Sequence, residues 1–325
     1  MRHQIAKAFL ITAVIGITPL SAMAEWPERP VTIVVPSGAG GGTDQTGRML
    51  AERLQARFGQ PFNVVNQGQG GGVVGISSIK NANPDGYTLG VIFNFAHYAT
   101  MGQSDVHVED FTPIAQYNFD PAGFQVRSDS EWENIDQALE AIKDAPDDYV
   151  IACGGGCGGS WPMAAATMMN EYGVDVSQVR FISGQGAAAA LQDLAAGGVD
   201  VVPSSLPEAG PLIESGRIKA LAVMGKERLE AFPDVPTLQE STDMELELGA
   251  WRGLIAPAGL PDDIVAELEN AMNEIVHDDE WRQQMQDRGF GVQWRDSEAF
   301  NEFMLDQQSS VRAIIETLGL ASGNS

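Results

Sequence analysis

The sequence is short of basic side chains: 19 Lys and Arg stand against 44 Asp and Glu, which leaves a formal net charge of −25 in 325 residues. A nucleic-acid-binding protein needs a basic surface, so this shortage excludes that class. It also disfavours adhesion to an anionic membrane surface. If the bound molecule is an anion, the field of the whole protein opposes its approach, and local dipoles must hold it.

Cysteine is scarce as well, with only Cys153 and Cys157, in IACGGGCGGSW. The three glycines between them let the chain fold back, so we predict a disulfide. Two free buried thiols are the alternative. A metal pair is disfavoured because no His or second Cys pair stands nearby.

The usual signatures of hydrolysis and metal binding are missing. The sequence contains no GxSxG, HExxH or EF-hand pattern. After residue 24 the histidines are His97, His107 and His277. We therefore predict no enzyme and no metal site. Asp44 is the candidate ligand if a cation joins the site described below, although helix capping explains it better.

One motif resembles a dinucleotide fingerprint, Gly70-x-Gly72-x-x-Gly75 after the predicted strand PFNVV. The fingerprint also requires an acidic residue about 20 positions on, at the end of the next strand. That strand ends at Asn94 with no acid near it. We predict no cofactor.

Long apolar runs are confined to the N-terminus. Arg2 and Lys7 precede an apolar stretch at 8–17, and small residues follow at 22–24. This pattern is typical of a secretory signal peptide, and the stretch is short for a membrane span. We predict a signal peptide at 1–24 and a periplasmic location; a retained anchor is the alternative.

The rest of the chain alternates strand and helix patterns. VTIVVP at 31–36 is a β-branched run, and the segment after it places apolar residues at helical spacing, with Thr43 or Asp44 as the expected N-cap. Similar alternation up to residue 224 predicts α/β layers with largely parallel sheets. The sequence has no fixed-period repeat and no long linker, so two domains must be joined by short crossings.

Glycine-rich turns separate a strand from a helix start at 36–44, 66–75, 153–161 and 183–187. Glycine lets the backbone approach a bound molecule closely, and the free N–H groups of a first helical turn attract an anion. We predict that these helix starts converge on one anion site, whose affinity depends little on any single charged side chain. Alternatively, some of these turns only connect a strand to a helix and bind no ligand.

Four aromatic or imidazole side chains flank these turns. Trp161 lies beside the third turn, where we predict contact with the ligand. His97 follows a strand and either faces the cleft or packs in the core. Core packing is expected for Phe93, and a structural role near a crossing between lobes is expected for Trp251.

Several segments together are similar to the solute-binding receptor family of tripartite tricarboxylate transporters. They are VTIVVPSGAGGGTD, GQPFNVVNQGQGGGVVG, NPDGYTLG, DFTPIAQ, GRIKALAV, FPDVPTLQE and WRGLIAPAGLPDDIV, in the family's order. Each segment alone is weak evidence for the family, but the ordered set is specific and spans essentially the whole mature chain.

The resemblance implies an α/β periplasmic binding protein with two lobes that close over a small organic carboxylate, a Venus-flytrap arrangement of type II-like form. We expect each lobe to be a mostly parallel sheet flanked by helices, with lobe 1 formed by 25–124 plus 250–325 and lobe 2 by 125–249. The resemblance also implies that the protein delivers its ligand to a membrane permease made of one large and one small subunit. We expect a monomer; an exported enzyme that acts on a small carboxylate in the same cleft is the alternative.

By position, the resemblance places the ligand against the four glycine turns and a neighbouring strand end. The predicted contacts are Ser37, Gly38, Ala39, Gly40, Gly41, Thr43, Asp44, Gly70, Gly71, Gly72, Val73, Asn94, His97, Gly158, Gly159, Ser160, Trp161, Ser183, Gly184, Gln185, Gly186 and Ser204.

The chain departs from the family pattern at some of these positions. Ser37 stands where an aromatic is usual and Val73 where Asn is frequent, while Gly184 and Gln185 replace a Tyr and a Lys. The last two changes widen the cleft and remove a positive charge, which indicates a bulkier or less charged ligand than the commonest in the family.

Overall fold

A computed structural model describes residues 26–154, 157–184, 186–319 and 321–322. The predicted signal peptide lies outside these residues. Within them, no helix combines the length and apolar character that crossing a membrane would require.

Ten strands and eleven α-helices form the described part of the chain. The strands are β1 (Val31–Val35), β2 (Phe62–Asn66), β3 (Thr88–Ile92), β4 (Phe111–Arg127), β5 (Val150–Ala152), β6 (Arg180–Ile182), β7 (Val202–Ser205), β8 (Ile218–Val223), β9 (Gly249–Pro257) and β10 (Val292–Arg295). The helices are α1 (Gly42–Phe58), α2 (Val73–Lys80), α3 (His97–Thr100), α4 (Ile135–Asp144), α5 (Ser160–Tyr172), α6 (Ala187–Ala196), α7 (Leu206–Glu214), α8 (Leu238–Thr242), α9 (Asp262–Val276), α10 (Asp279–Gln286) and α11 (Ser297–Thr317).

Strand β4 belongs to two groups of strands. Its first part lies in the order β10-β4-β9-β3-β1-β2. Its second part, from Ala122 onward, pairs with β7 and β8. Strands β5 and β6 pair with each other, and Ile151 of β5 bridges to Val201 next to β7. β4 therefore carries the chain from one half of the molecule to the other.

The α/β class agrees with the sequence, but the expectation of mostly parallel sheets is wrong. Parallel pairing is found for β1–β2, β1–β3 and β5–β6. The pairings of β4 with its neighbours and of β3 with β9 are antiparallel. The physical reason is that β4 takes the chain out of the first half and β9 brings it back beside β4, so these strands run in opposite directions.

Each half has its own apolar core. One half packs α1, α9 and α10 on one face of the β1–β3 sheet and α2 and α11 on the other. The other half packs α4, α5 and α8 into one cluster and α6 and α7 into a second. We call these halves lobe 1 and lobe 2; the boundaries at 124/125 and 249/250 remain a prediction. The end of α11 crosses over, since Val311, Ile314 and Ile315 pack against α5.

Candidate functional site

Nine of the eleven described α-helices fall into two groups by the residue at their N-cap; the other two, α3 and α9, begin after Ala96 and Pro261 without a side-chain cap. Glycine occupies the N-cap of four helices, without any side-chain cap: Gly41 before α1, Gly72 before α2, Gly159 before α5 and Gly186 before α6. Five other helices have a side chain that accepts a backbone N–H: Asn134, Ser205, Thr237, Asp278 and Asp296. The first turn of a helix leaves N–H groups without intrahelical partners, and the four glycine starts offer these groups no side-chain acceptor. At α2 the first of them, the Val73 N–H, donates to the Gln69 and Gly70 carbonyls of the preceding 3-10 turn. We call these four the open starts.

The first open start follows a turn whose residues Gly38, Ala39, Gly40 and Gly41 are exposed. Gly40 has a φ of +85°, a conformation that glycine adopts without strain. The N-cap of α1 is Gly41, so the expected cap at Thr43 or Asp44 is wrong. Thr43 instead accepts a hydrogen bond from the Arg252 side chain at 3.2 Å.

Asp44 is buried and closes the turn from inside. Its carboxylate accepts the Gly40 N–H at 2.8 Å and the Asn66 side-chain amide at 2.8 Å, and it pairs with Arg48 at 2.9 Å. Burial by itself raises the pKa of Asp44, but the contacts with Gly40, Arg48 and Asn66 outweigh it and the pKa is lowered. Both oxygens are committed to protein donors. Among the described residues, no group of three His, Cys, Asp or Glu side chains is placed to hold a metal.

The second turn lies directly against the first. A Cβ at Gly68 would stand 2.7 Å from the Gly38 nitrogen, so these two backbones touch. Gly70, Gly71 and Gly72 all have positive φ, and Val73 then begins α2. The Tyr98 hydroxyl donates to the Gly71 carbonyl at 2.7 Å and fixes this turn to α3.

The segment after β3 connects this pair of turns with lobe 2. A Cβ at Gly158 would lie 3.1 Å from Cδ2 of His97, which places His97 against the third turn. Burial lowers the pKa of His97 to about 4, against a weaker opposing effect of the Asn94 carbonyl, so the ring is neutral at pH 7. His97 Nδ1, Asn94 Oδ1 and Ser37 Oγ are buried atoms without a hydrogen-bond partner among the described residues. Buried polar atoms are normally paired, so these three atoms are suited to a ligand or water.

The third and fourth turns also meet. Cys153 and Cys157 form a disulfide, which ties the end of β5 to the residues just before α5. Cys157 Sγ lies 3.5 Å from Ser183 Oγ, and the Gly186 N–H donates to the Gly154 carbonyl. A Cβ at Gly184 would lie 3.0 Å from the Gly154 oxygen. Gln185 lies outside the described residues.

A cavity of about 450 Å³ joins the two lobes at these turns. Its walls include Gly40, Gly41, Gly42, Thr43 and Gln45 from lobe 1 and Ser160, Trp161, Ser205, Pro207 and Glu208 from lobe 2. Phe93, Asp120, Ala250, Trp251, Arg252, Arg288, Gly289 and Phe290 complete them. This volume is in the range of small-molecule sites. A wider groove of about 820 Å³ adjoins it between α10 and residues 229–232, but it contains none of the open starts.

The structure brings the four turns together in two pairs, but only parts of the first and third turns line the cavity. The second and fourth turns, Asn94 and His97 are not among its wall residues, so their contact with a ligand stays a prediction. The first turn, Ser160 and Trp161 line it directly. The second turn adjoins the first, His97 adjoins Gly158, and the fourth turn adjoins the third. Phe93 lines the cavity, so the expectation of core packing for it is wrong.

Ser204 does not face the cavity. It is fully buried, and its backbone exchanges hydrogen bonds with the Gln125 side chain. The adjacent Ser205 lines the cavity instead, because successive strand residues point to opposite faces.

The α7 start also reaches the cavity, but it is closed. Ser205 Oγ accepts the Glu208 N–H at 3.4 Å, and the Glu208 carboxylate accepts the Ser205 N–H at 3.3 Å. Pro207 supplies no N–H in this turn. The Glu208 side chain is exposed to the cavity. Desolvation by the surrounding protein nevertheless raises the pKa of Glu208, and the hydrogen bonds from Ser205 lower that pKa only in part.

Sequence reasoning missed the charged pair at the back of the cavity. Arg252 of β9 and Asp120 of β4 are buried, with Nη1 and Oδ2 at 2.6 Å. A signal was present, because each is a charged residue inside a run that otherwise reads as a buried strand, WRGLIAP and NFDPAGF. Such a residue is rarely buried unless it is paired.

Comparisons with known proteins agree with this geometry. A sequence model described as the tripartite tricarboxylate transporter family receptor matches residues 46–320. A crystal structure of a TctC solute binding protein from Polaromonas is 32% identical, with a TM-score of 0.78 over 90% of this chain and 100% of that one. The family resemblance and the two-lobed fold class inferred from the sequence are thereby confirmed.

Two further structures were solved with small acids. MatC from Rhodopseudomonas palustris with bound malate is 28% identical, with a TM-score of 0.72 over 89% of this chain and 100% of that one. A second R. palustris protein, with adipate, is 25% identical, with a TM-score of 0.74 over 91% of this chain and 99% of that one.

Proposed function

Because the chain belongs to the tripartite tricarboxylate transporter receptor family, we propose that it is a periplasmic receptor that binds a small organic carboxylate between its two lobes. Residues 1–24 direct it across the inner membrane. It hands the ligand to a permease with one large and one small membrane subunit, and it acts as a monomer without nucleic-acid partners. It releases the ligand chemically unchanged.

The observation that carries this proposal is the meeting of open helix starts from both lobes around one hollow. Gly42 and Thr43 begin α1 in lobe 1, and Ser160 and Trp161 begin α5 in lobe 2, on the same cavity. The N-terminus of a helix carries roughly half a positive charge. Two such ends suit an anion in a protein whose net charge is −25.

In the proposed complex, a carboxylate accepts hydrogen bonds from the first-turn N–H groups of α1. The carbon skeleton lies against Phe93 and Trp161, which provide apolar walls from the two lobes. Closure brings the α5 start towards the ligand and replaces water by oriented N–H groups. Lobe 1 and lobe 2 are joined through β4 and β9, and the end of α11 packs against α5, so the motion changes these two crossings and this packing.

Glycine at positions 184 and 186 puts no side chain on the fourth turn, and Ser183 beside them is exposed. We propose that the ligand is bulkier or less charged than a short dicarboxylate. Malate and adipate, found in the two R. palustris structures, are the first probes because they differ in length.

The test is mass spectrometry of the anion that co-purifies with natively exported protein, followed by thermal unfolding with malate, adipate and that anion. A ligand at 100 times its Kd stabilises the folded state by about 2.7 kcal/mol. We expect such a shift and recovery of the unchanged ligand. Turnover of the ligand would favour the enzyme alternative, and stabilisation by none of these carboxylates would contradict the receptor.

A further inference from the structure

Arg252 places a buried cation at the wall of the cavity. Its side chain is about 10% exposed. Nη1 donates to Asp120 Oδ2 at 2.6 Å and also to Asn118 Oδ1, and Nε donates to Thr43 Oγ1 at 3.2 Å. Two of the three guanidinium nitrogens are therefore fixed by lobe 1.

The third nitrogen, Nη2, lies on the first residue of α1. A Cβ at Gly42 would stand 2.6 Å from it, so only glycine leaves room for the guanidinium there. Within the described residues, Nη2 makes no hydrogen bond. It is thus a charged donor next to the unsatisfied N–H groups of an open start.

This position is electrostatically unfavourable for an arginine in the empty protein. Helix N-termini favour anions and disfavour cations, because the helix dipole is positive there. Asp120 offsets one charge, and it is itself held by the Asn118 side-chain amide at 3.0 Å and the Gly291 N–H at 2.8 Å. Two further carboxylates stand near: Asp44, in the first turn of α1, is bonded to Gly40, Asn66 and Arg48, and Glu208, on the cavity wall, is bonded to Ser205. Among the described residues, Asp120 is therefore the one carboxylate bonded to Arg252.

Packing does not explain the arginine either. Its neighbours on β9, Trp251 and Leu254, are apolar and fully buried. A buried ion pair is often no more stabilising than apolar side chains of the same volume. An arrangement that breaks a local rule without a structural benefit points to function.

We propose that Arg252 is a specificity-determining residue of the carboxylate site: Nη2 donates to one carboxylate oxygen while N–H groups of the α1 start bind the other. This inference rests on the proposed function and deepens it. It modifies the expectation that affinity depends little on any single charged side chain. Asp120 acts through Arg252, as a positioning residue that fixes the guanidinium plane and limits its effective charge.

The experiment compares three variants with wild type by calorimetric titration, using whichever of malate and adipate stabilises the wild type more. Asp120→Asn with Arg252→Gln removes both charges together, so no buried charge is left unpaired. We expect this double variant to bind about 10- to 100-fold more weakly, as for loss of a charge-assisted hydrogen bond. Asp120→Asn alone keeps the guanidinium and removes its counter-charge, so its affinity should equal or exceed that of wild type.

Arg252→Lys keeps the charge but not the fork that reaches Thr43, Asp120 and the ligand together. We expect about tenfold weaker binding with little change in the melting temperature of the empty protein. Arg57→Gln is the matched control, since Arg57 lies at the other end of α1 in an exposed pair with Glu274 at 3.0 Å. Its affinity should be that of wild type.

Weaker binding in the double variant without weaker binding in Asp120→Asn supports the proposal, because a merely structural role would weaken binding in both. Wild-type affinity in both the double variant and Arg252→Lys would overturn it while leaving the receptor function intact. If the double variant fails to fold, Arg252→Lys decides alone. If the wild type binds none of the three ligands (malate, adipate and the co-purifying anion), the proposed function and this inference are overturned together.

Discussion

The two groups of helix starts solve the same physical problem in opposite ways. At α11 the Asp296 carboxylate accepts the Ala299 N–H at 2.9 Å, so that helix supplies its own anion. At α1 the cap is Gly41, which supplies none. A side-chain cap typically contributes about 0.5–2 kcal/mol to stability. That contribution is relative to alanine, and glycine at the N-cap costs only a few tenths of a kcal/mol, so the chain gives up little stability by leaving α1 without a side-chain cap.

The α7 start sharpens the contrast, since it reaches the same cavity but is closed by Ser205 and Glu208. Position alone therefore does not make an anion site. At the α1 and α5 starts, which line the same cavity, the N-cap is glycine and no side chain takes the place that an external anion would occupy.

The strongest way to break the comparison is to convert an open start into a closed one. Gly41→Asp places a carboxylate at the N-cap of α1, where φ is −76° and the nearest atom to a new Cβ is 3.9 Å away. We expect carboxylate affinity to fall about 100- to 1,000-fold, because the added anion occupies the N–H groups and repels the ligand. Stability of the empty protein should change by only a few tenths of a kcal/mol.

Calorimetry and thermal unfolding measure the two effects separately. Gly41→Ser is the neutral companion variant and should weaken binding less, since it adds a cap without a charge. Tight binding by Gly41→Asp would show that the α1 start does not hold the ligand.

A second effect depends on pH, because the half-buried His97 lies against Gly158 of the third turn. The folded pKa of His97 is about 4, below its ordinary 6.5, so the unfolded chain takes up a proton first as the pH falls. Stability is complete above about pH 6.5 and falls progressively towards pH 4, by up to about 3 kcal/mol. Urea unfolding of wild type and His97→Gln between pH 4 and 7 measures this.

His97→Gln should flatten the acid slope. His277, which is exposed with Nδ1 2.9 Å from the Asn273 carbonyl, provides the control, and His277→Gln should leave the slope unchanged. Equal slopes in wild type and His97→Gln would contradict a buried neutral His97.

The third prediction concerns the disulfide, which belongs to an open start and to none of the closed ones. Cys153→Ser with Cys157→Ser should reduce stability by about 2 kcal/mol, the loop entropy expected for a five-residue ring. Carboxylate affinity should fall about tenfold, because the α5 start is no longer tied to the end of β5. Titration of the oxidised, reduced and serine forms measures both.

The smallest effect comes from a closed start. Asp296→Ala removes the cap of α11 and should cost about 1 kcal/mol of stability. Carboxylate affinity, measured by titration, should not change. A loss of affinity here as large as in Gly41→Asp would remove the distinction between the two groups.

Local features were predictable from the sequence and long-range pairings were not. The glycine turns, the helices that follow them and the α/β class could be inferred because each depends on residues within a few positions. The cap of α1 was misplaced, since the Asp44 carboxylate accepts the Gly40 N–H and the side chain of Asn66, 22 residues away, rather than a backbone N–H of its own helix. Ser204 and Ser205 exchanged roles because the strand register decides which of them faces the cavity.

By itself the sequence determined that four helices follow glycine-rich turns, in which glycine stands where a capping side chain would. Only the tertiary structure decided that these four meet, through contacts such as that of His97 with Gly158, 61 positions apart. It also decided that Arg252 lies at the first of them, 132 positions from the carboxylate that holds it. Backbone conformation is set by near neighbours, whereas the field at a site is a sum over groups that only folding assembles.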